Sequence, residues 1–156
     1  MAKAHRTFVS YIDKSREYYA AQGYDVPYKW AAATDAPFAP LVKPLSECRI
    51  GVITTSSLSP EQQREPFVAP SKPMPAAMET QHLYWHKEAT HTNDLGSFLP
   101  LAHLRQLEDE GVIASVSPRF YGIGTVYSQR RTNTWAEDVR IWLEEDDVDL
   151  AVLIPL

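Results

Sequence analysis

Apolar and polar positions follow different periods along the chain, and each stretch indicates the element it can form. Between residues 7 and 22, Phe8, Tyr11, Ile12, Ser15, Tyr18 and Tyr19 fall on one side of a helical wheel, with Thr7 placed to cap and Gly23 to stop. That pattern predicts an amphipathic helix whose aromatic face packs onto the domain or a twin subunit. Residues 24–47 carry Pro27, Pro37, Pro40 and Pro44 among aromatic and small residues, a mixture that breaks helical and strand ladders and predicts an extended surface segment. Arg49 to Thr55 is a short β-branched apolar run ending in Ser56 and Ser57, the pattern of a buried parallel strand followed by a loop.

From Leu58 to Pro75 the prolines leave room for one helical turn, with Ser59 as cap and Pro60 first, and loop beyond it. A short strand is expected at His82 to Trp85, then a polar stretch from His86 to Asp94. Leu101, Leu104 and Leu107 recur at helical spacing between Pro100 and Gly111, which predicts a helix there. Val112 to Ser117 reads as a strand. After it, Pro118 to Gly124 reads as a loop whose two glycines allow tight turns or close ligand approach. Thr134 is placed to cap a helix carrying Trp135, Val139, Trp142 and Leu143 on one face, ended by Asp146 and Asp147 before the apolar run Leu150 to Ile154. Strands alternating with helices predict an α/β fold with a mainly parallel, open sheet and helices on both faces. The expected division is an amino-terminal helix and arm, 1–47, and an α/β domain, 48–156.

Composition narrows the function classes. With 156 residues, 44% of them hydrophobic, the chain can bury one core. A net charge of -5 without a Lys/Arg stripe excludes sequence-independent nucleic-acid binding and makes anionic membranes poor partners. One cysteine, Cys48, rules out an internal disulfide or a Cys-x-x-Cys pair within these residues, and with no secretory or membrane-spanning run the expected compartment is the cytoplasm.

Candidate chemistry concentrates in the polar stretch. His86 and His91 are five apart, whereas the zinc-protease helix needs histidines four apart, so any convergence of His86, Glu88 and His91 must come from a loop; no metal and no cofactor is expected. Tyr121-Gly-Ile-Gly lacks the third glycine of a dinucleotide site, and no serine sits in a Gly-x-Ser-x-Gly elbow. Arg119 has the bidentate fork that suits a carboxylate.

Taken together, Arg49-Ile-Gly-Val-Ile-Thr-Thr55, Phe98-Leu-Pro-Leu-Ala-His-Leu-Arg105, Glu110-Gly-Val-Ile-Ala-Ser-Val-Ser-Pro-Arg119-Phe-Tyr-Gly122 and Asp147-Val-Asp-Leu-Ala-Val-Leu-Ile154 resemble the selenoprotein B family, the B-type subunits of glycine, sarcosine, betaine and D-proline reductases. Tyr11 to Tyr19 with Tyr28-Lys-Trp30 is similar to the leader of its aerobic relatives. The resemblance implies a dithiol-dependent reductase of a small amino acid or amine, with a dithiol as electron donor. It implies that the strand matching Leu150 to Ile154 is followed by selenocysteine or cysteine, two residues, and another cysteine. No such pair is present here, so the catalytic group is expected just after Leu156. The sheet is then incomplete at its carboxyl end, and the isolated chain is expected to be inactive. A UGA codon read as termination, a short subunit whose partner brings the sulfur, and a degenerate product each account for that ending.

On this reading His86, Glu88, His91, Asp94, Arg119 and Tyr121 line the substrate pocket, and the partners are a small-molecule substrate and either a second copy or a companion reductase subunit. The alternative is a non-catalytic small-molecule-binding or assembly module that docks a partner.

Overall fold

Arg49–Thr54, apolar over its four central residues, forms the strand β1 at the middle of the sheet, and its neighbours explain why those positions are apolar. The computed structural model describes residues 11–24, 26, 34–35, 39–83, 87–126 and 128–156, in two compact units, 1–38 and 39–156. In the second unit, β2 (Phe67–Pro70), β3 (Ser115–Val116), β4 (Arg119–Gly122) and β5 (Leu150–Ile154) complete a five-stranded open sheet around β1. β5 runs parallel to β1 along one edge, pairing Ile50 with Leu150 through Thr54 with Ile154. β3 and β4 share the other edge of β1, also parallel, and β2 closes that side antiparallel to β4.

Two helices cover the sheet: α2 (Leu101–Asp109) and α3 (Gln129–Glu145). Side chains of a strand alternate between faces. Accordingly Ile50, Val52, Ala69, Phe120, Leu150 and Val152 join Leu101, Leu104 and Leu107 in one apolar cluster. Ile53, Val68, Tyr121 and Ala151 join Val139, Trp142 and Leu143 in the other. This is the mostly parallel α/β sheet with a helix on each face that the sequence pattern predicts. Phe120 and Tyr121 are fully buried, and burying a large apolar side chain stabilises by about 1.5–3 kcal/mol. Gly51 lets α3 approach: a Cβ there would lie 3.1 Å from Leu143 and Val148 and 3.2 Å from Tyr121.

The β3–β4 segment gains length at Ser117 and Pro118. Arg49 pairs with Ser115, but Ile53 pairs with Tyr121, so the offset grows from 66 to 68. Because the insertion is even, side chains keep their faces, whereas a single extra residue would turn β4 over. The carbonyls of the bulge are satisfied: Ser71 N donates to Pro118 O at 2.8 Å, and Ser71 Oγ donates to Ser117 O.

Several elements differ from expectation. Pro118 to Gly122 is not a loop; Arg119–Gly122 is the strand β4, with Gly122 opposite Phe67, whose ring occupies the space a Cβ would need. Phe67–Pro70, expected as loop, is β2, an edge strand where proline is tolerated because one side of the ladder is open. The strand expected over Val112 to Ser117 is reduced to Ser115–Val116. His82 and Leu83 lie in a turn closed by Leu83 N on Thr80 O rather than in a strand, and Tyr84 and Trp85 lie outside the described residues. α3 begins earlier than Thr134: Ser128 caps it, accepting from Arg131 N at 3.4 Å, and Thr134 sits inside the helix, donating to Arg130 O. β5 is a strand, but not one enclosed on all sides; among the described residues only β1 pairs with it, and Leu153 is 66% exposed.

The stretch before β1 belongs with the sheet. Leu45–Glu47 forms a 3-10 turn, Lys43 pairs with Asp149 at 2.8 Å, and Cys48 Sγ donates to Pro44 O. In the first unit the helix α1 spans Tyr11–Ala21 and ends at Gly23, whose φ of +83° is the left-handed conformation that stops helices. Thr7 and Phe8 of the predicted helix lie outside the described residues. Tyr18 and Tyr19 are exposed and meet edge to face, 5.5 Å between centroids. Among the described residues no helix is long and apolar enough to cross a membrane.

Candidate functional site

Chain routing creates a crevice at the carboxyl ends of the parallel strands. β1 and β2 flank β4, so the link between them must pass outside the carboxyl end of β4 before Phe67 can pair with Gly122. That link contains the 3-10 turn Pro60–Arg64, started by Pro60 after Ser59. It presses on the exit of β4 closely enough that a Cβ on Gly124 would collide with the Gln63 carbonyl. The third wall is the turn holding His82, brought in by a two-residue antiparallel bridge in which Ser57 and Glu79 exchange both backbone hydrogen bonds, with Leu83 buried behind it. Between them lies a cavity of about 520 Å³ lined by Pro60, Glu61, Gln63, Arg64, His82 and Thr125. The carboxyl edge of an open α/β sheet is where ligands bind in this architecture.

The lining has both charges and both hydrogen-bonding senses. Glu61 is held below the usual carboxylate range, first by the Ser59 side chain, then by its own backbone N–H, with Arg64 adding attraction. Arg64 makes no ion pair among the described residues, so its fork is available to a ligand. His82 and Thr125 add groups that both donate and accept. Among the described residues Gln63 Nε2 is buried without an acceptor, an arrangement that costs about 1–3 kcal/mol.

The candidates named from sequence divide between two places. Glu88 lies in the exposed turn at 87–89, and His91 and Asp94 are exposed beyond it. His91 Nδ1 accepts from Asn93 N at 3.4 Å, while Asp94 accepts from Gly96 N at 2.9 Å and caps the 3-10 turn Leu95–Ser97. This stretch is tethered near the crevice, because Thr92 Oγ1 and Thr80 Oγ1 are 2.8 Å apart and Thr80 stands two residues before His82. His86 lies outside the described residues. Among the described residues no three His, Cys, Asp or Glu side chains are grouped to hold a metal.

Arg119 and Tyr121 stand in β4 and are directed to the carboxyl end of α3 instead. Arg119 Nε donates to Asp146 at 2.7 Å and Nη2 to Glu145 at 2.9 Å, which holds the guanidinium more firmly protonated. Tyr121 is fully buried; its hydroxyl donates to Asp146 at 2.6 Å and lies 3.0 Å from Ser117 Oγ. Burial and then Asp146 push that phenol up. Burial pushes Asp146 up, but the Arg119 fork and the Tyr121 hydroxyl outweigh it, and the carboxyl stays below its usual range. Cys48 sits at the amino end of β1, 0% exposed, away from the crevice.

Sequence reasoning did not single out Gln63, Arg64, His82 or Thr125. Position carried the signal: the links that leave Thr54 and Gly122, the carboxyl ends of two parallel strands, supply Pro60, Glu61, Gln63, Arg64 and Thr125 to the crevice.

Fold and crevice together define an open, mostly parallel α/β protein with a small polar pocket at the strand ends. The model of the family described as glycine/sarcosine/betaine reductase selenoprotein B matches residues 17–155, most of the chain, and the chain belongs to that family. No curated protein and no solved structure matches it.

Proposed function

We propose that this chain is the substrate-binding part of a selenoprotein B-type reductase. It takes a small amino acid or amine in the crevice at the carboxyl ends of β1 and β4, and a dithiol is the final electron donor. Arg64 pairs with the carboxylate of the substrate, Glu61 attracts its amine, and His82 and Thr125 orient it, while Glu88, His91 and Asp94 form the rim. Arg119 and Tyr121 act from the face of β4 turned to α3, fixing that helix against the sheet.

The observation that carries this reading is the pairing of a polar crevice at the carboxyl edge with a sealed cysteine at the amino edge. The one thiol in these residues is buried at the opposite end of β1 from the crevice, which supports a selenol or thiol nucleophile supplied from outside them. Titrating the chain with glycine, sarcosine, glycine betaine and D-proline by calorimetry tests the first part. At least one should bind, and Arg64→Ala should weaken it by about tenfold, as loss of a charge-assisted pair does. Binding by none of the four overturns the reading. Reduction of any of them by dithiothreitol and the Cys48→Ser chain alone overturns the external nucleophile.

A second reading has one observation in its favour. The outer edge of β5 is unpaired among the described residues and carries exposed Leu153, which suits an assembly module that docks a partner along that strand. A stable monomer at high dilution in sedimentation counts against it.

A further inference from the structure

Arg131, in the first turn of α3, reaches from its own helix to the wall of the crevice. Its Nη2 donates to the Arg64 carbonyl at 3.0 Å and to Glu65 Oε1 at 3.0 Å. The guanidinium carbon lies 4.9 Å from the centroid of the Trp135 ring, one helical turn along. Trp135 is itself fixed, 5% exposed, with its ring 3.2 Å from where a Cβ on Gly124 would stand. A planar fork lying over a buried indole is directed before it meets its acceptors, which a lysine cannot reproduce. The element after β4 therefore holds the element after β1 across the opening. The residue held is Arg64, whose side chain lines the crevice, whereas Arg131 is not part of the lining.

We infer that Arg131 is a positioning residue for the crevice: by holding the Arg64 carbonyl, it fixes how the Arg64 guanidinium is presented to a bound ligand. This rests on the reading of the crevice as the substrate site. The Arg131–Glu65 pair is exposed, 47% and 70% at the side chains, and such pairs add little to global stability. The effect of Arg131 is thus expected in ligand affinity and in the local order of the strap, the link from β1 to β2 that crosses the end of β4, not in the melting temperature.

The experiment compares Arg131→Ala and Arg131→Lys with the unaltered chain, each also carrying Arg64→Ala, using glycine, sarcosine, glycine betaine and D-proline as probes. Arg131→Ala should weaken the binding probe by about tenfold, with Arg131→Lys between. In the Arg64→Ala background the Arg131 substitutions should have no further effect, since residues acting through one another are not additive. Amide exchange at Leu58 and Gln62, both hydrogen-bonded within the strap, should rise about tenfold in Arg131→Ala while β1 is unaffected. Additive losses of affinity, or unchanged exchange at Leu58 and Gln62, overturn the inference. If no probe binds, the proposed function fails and the exchange result alone decides the role of Arg131. Arg131→Lys keeps the comparison open should Arg131→Ala not fold.

Discussion

Replacing Asp146 by alanine removes the acceptor on which Arg119 and Tyr121 converge, and the structure sets the size of the loss. Two hydrogen bonds to a carboxylate disappear, at 2.7 Å and 2.6 Å, each of a kind that contributes about 1.5–3 kcal/mol. The Tyr121 hydroxyl keeps Ser117 and Arg119 keeps Glu145, so neither is fully orphaned, and Arg119 is 29% exposed and partly screened. The net cost should be about 2–4 kcal/mol, below the sum of the two bonds. Asp146→Asn keeps an acceptor for Tyr121 but loses the charge, and should cost about half as much.

Urea unfolding followed by tryptophan fluorescence measures both as shifts of midpoint at constant slope. Acidity supplies a second readout. The folded Asp146 titrates below its unfolded value, so its contribution is complete above the unfolded value and is lost as pH falls through the folded one. The gap between the native chain and Asp146→Asn should therefore be constant from about pH 5 to 8 and narrow below about pH 4. A loss under about 0.5 kcal/mol for Asp146→Ala, or a gap that widens in acid, would refute the account of this network as the lock between α3 and the sheet.

Gly51→Ala forces a methyl against Leu143, Val148 and Tyr121 and should destabilise by about 1–3 kcal/mol, read as a fall in melting temperature. Ser128→Ala should cost about 1 kcal/mol as the loss of a helix cap, whereas Thr134→Ala, at an exposed position within the helix, should change thermal stability little; the reverse order would return the cap to Thr134.

Periodicity made the long elements legible. The apolar runs of β1 and β5 and the leucine spacing of α2 correspond to what folds. What escaped were elements whose residues are chosen by a neighbour rather than by their own period. β2 lies between prolines and exists because β4 offers it an edge, and β4 reads as a loop in sequence because a glycine at 122 suits a turn, whereas in the fold Gly122 makes room for Phe67. The aromatic pair Phe120–Tyr121 was the available clue to a buried strand there.

The site was legible in kind more than in membership. Thr80 and Thr92 join the His82 turn to the stretch containing His91, yet Glu88, His91 and Asp94 are not among the residues that line the crevice. Arg119 and Tyr121 were chosen for their chemistry, and chemistry alone cannot reveal that Asp146, 25 residues beyond Tyr121, engages them. Arg64 and Thr125 are unremarkable residue types and become notable only once the link from β1 to β2 is known to pass over the end of β4.

That detour has a consequence for how binding preference can change. The hollow exists because the backbone must travel around a strand, not because bulky groups prop it open, so its outline should survive replacement of the groups that face it. Exchanging Glu61, Arg64, His82 or Thr125 can retune what enters while the hydrophobic layers beneath stay intact. If the crevice is the substrate site proposed above, selectivity and folding are separable in this architecture, and one scaffold can accommodate different small ligands.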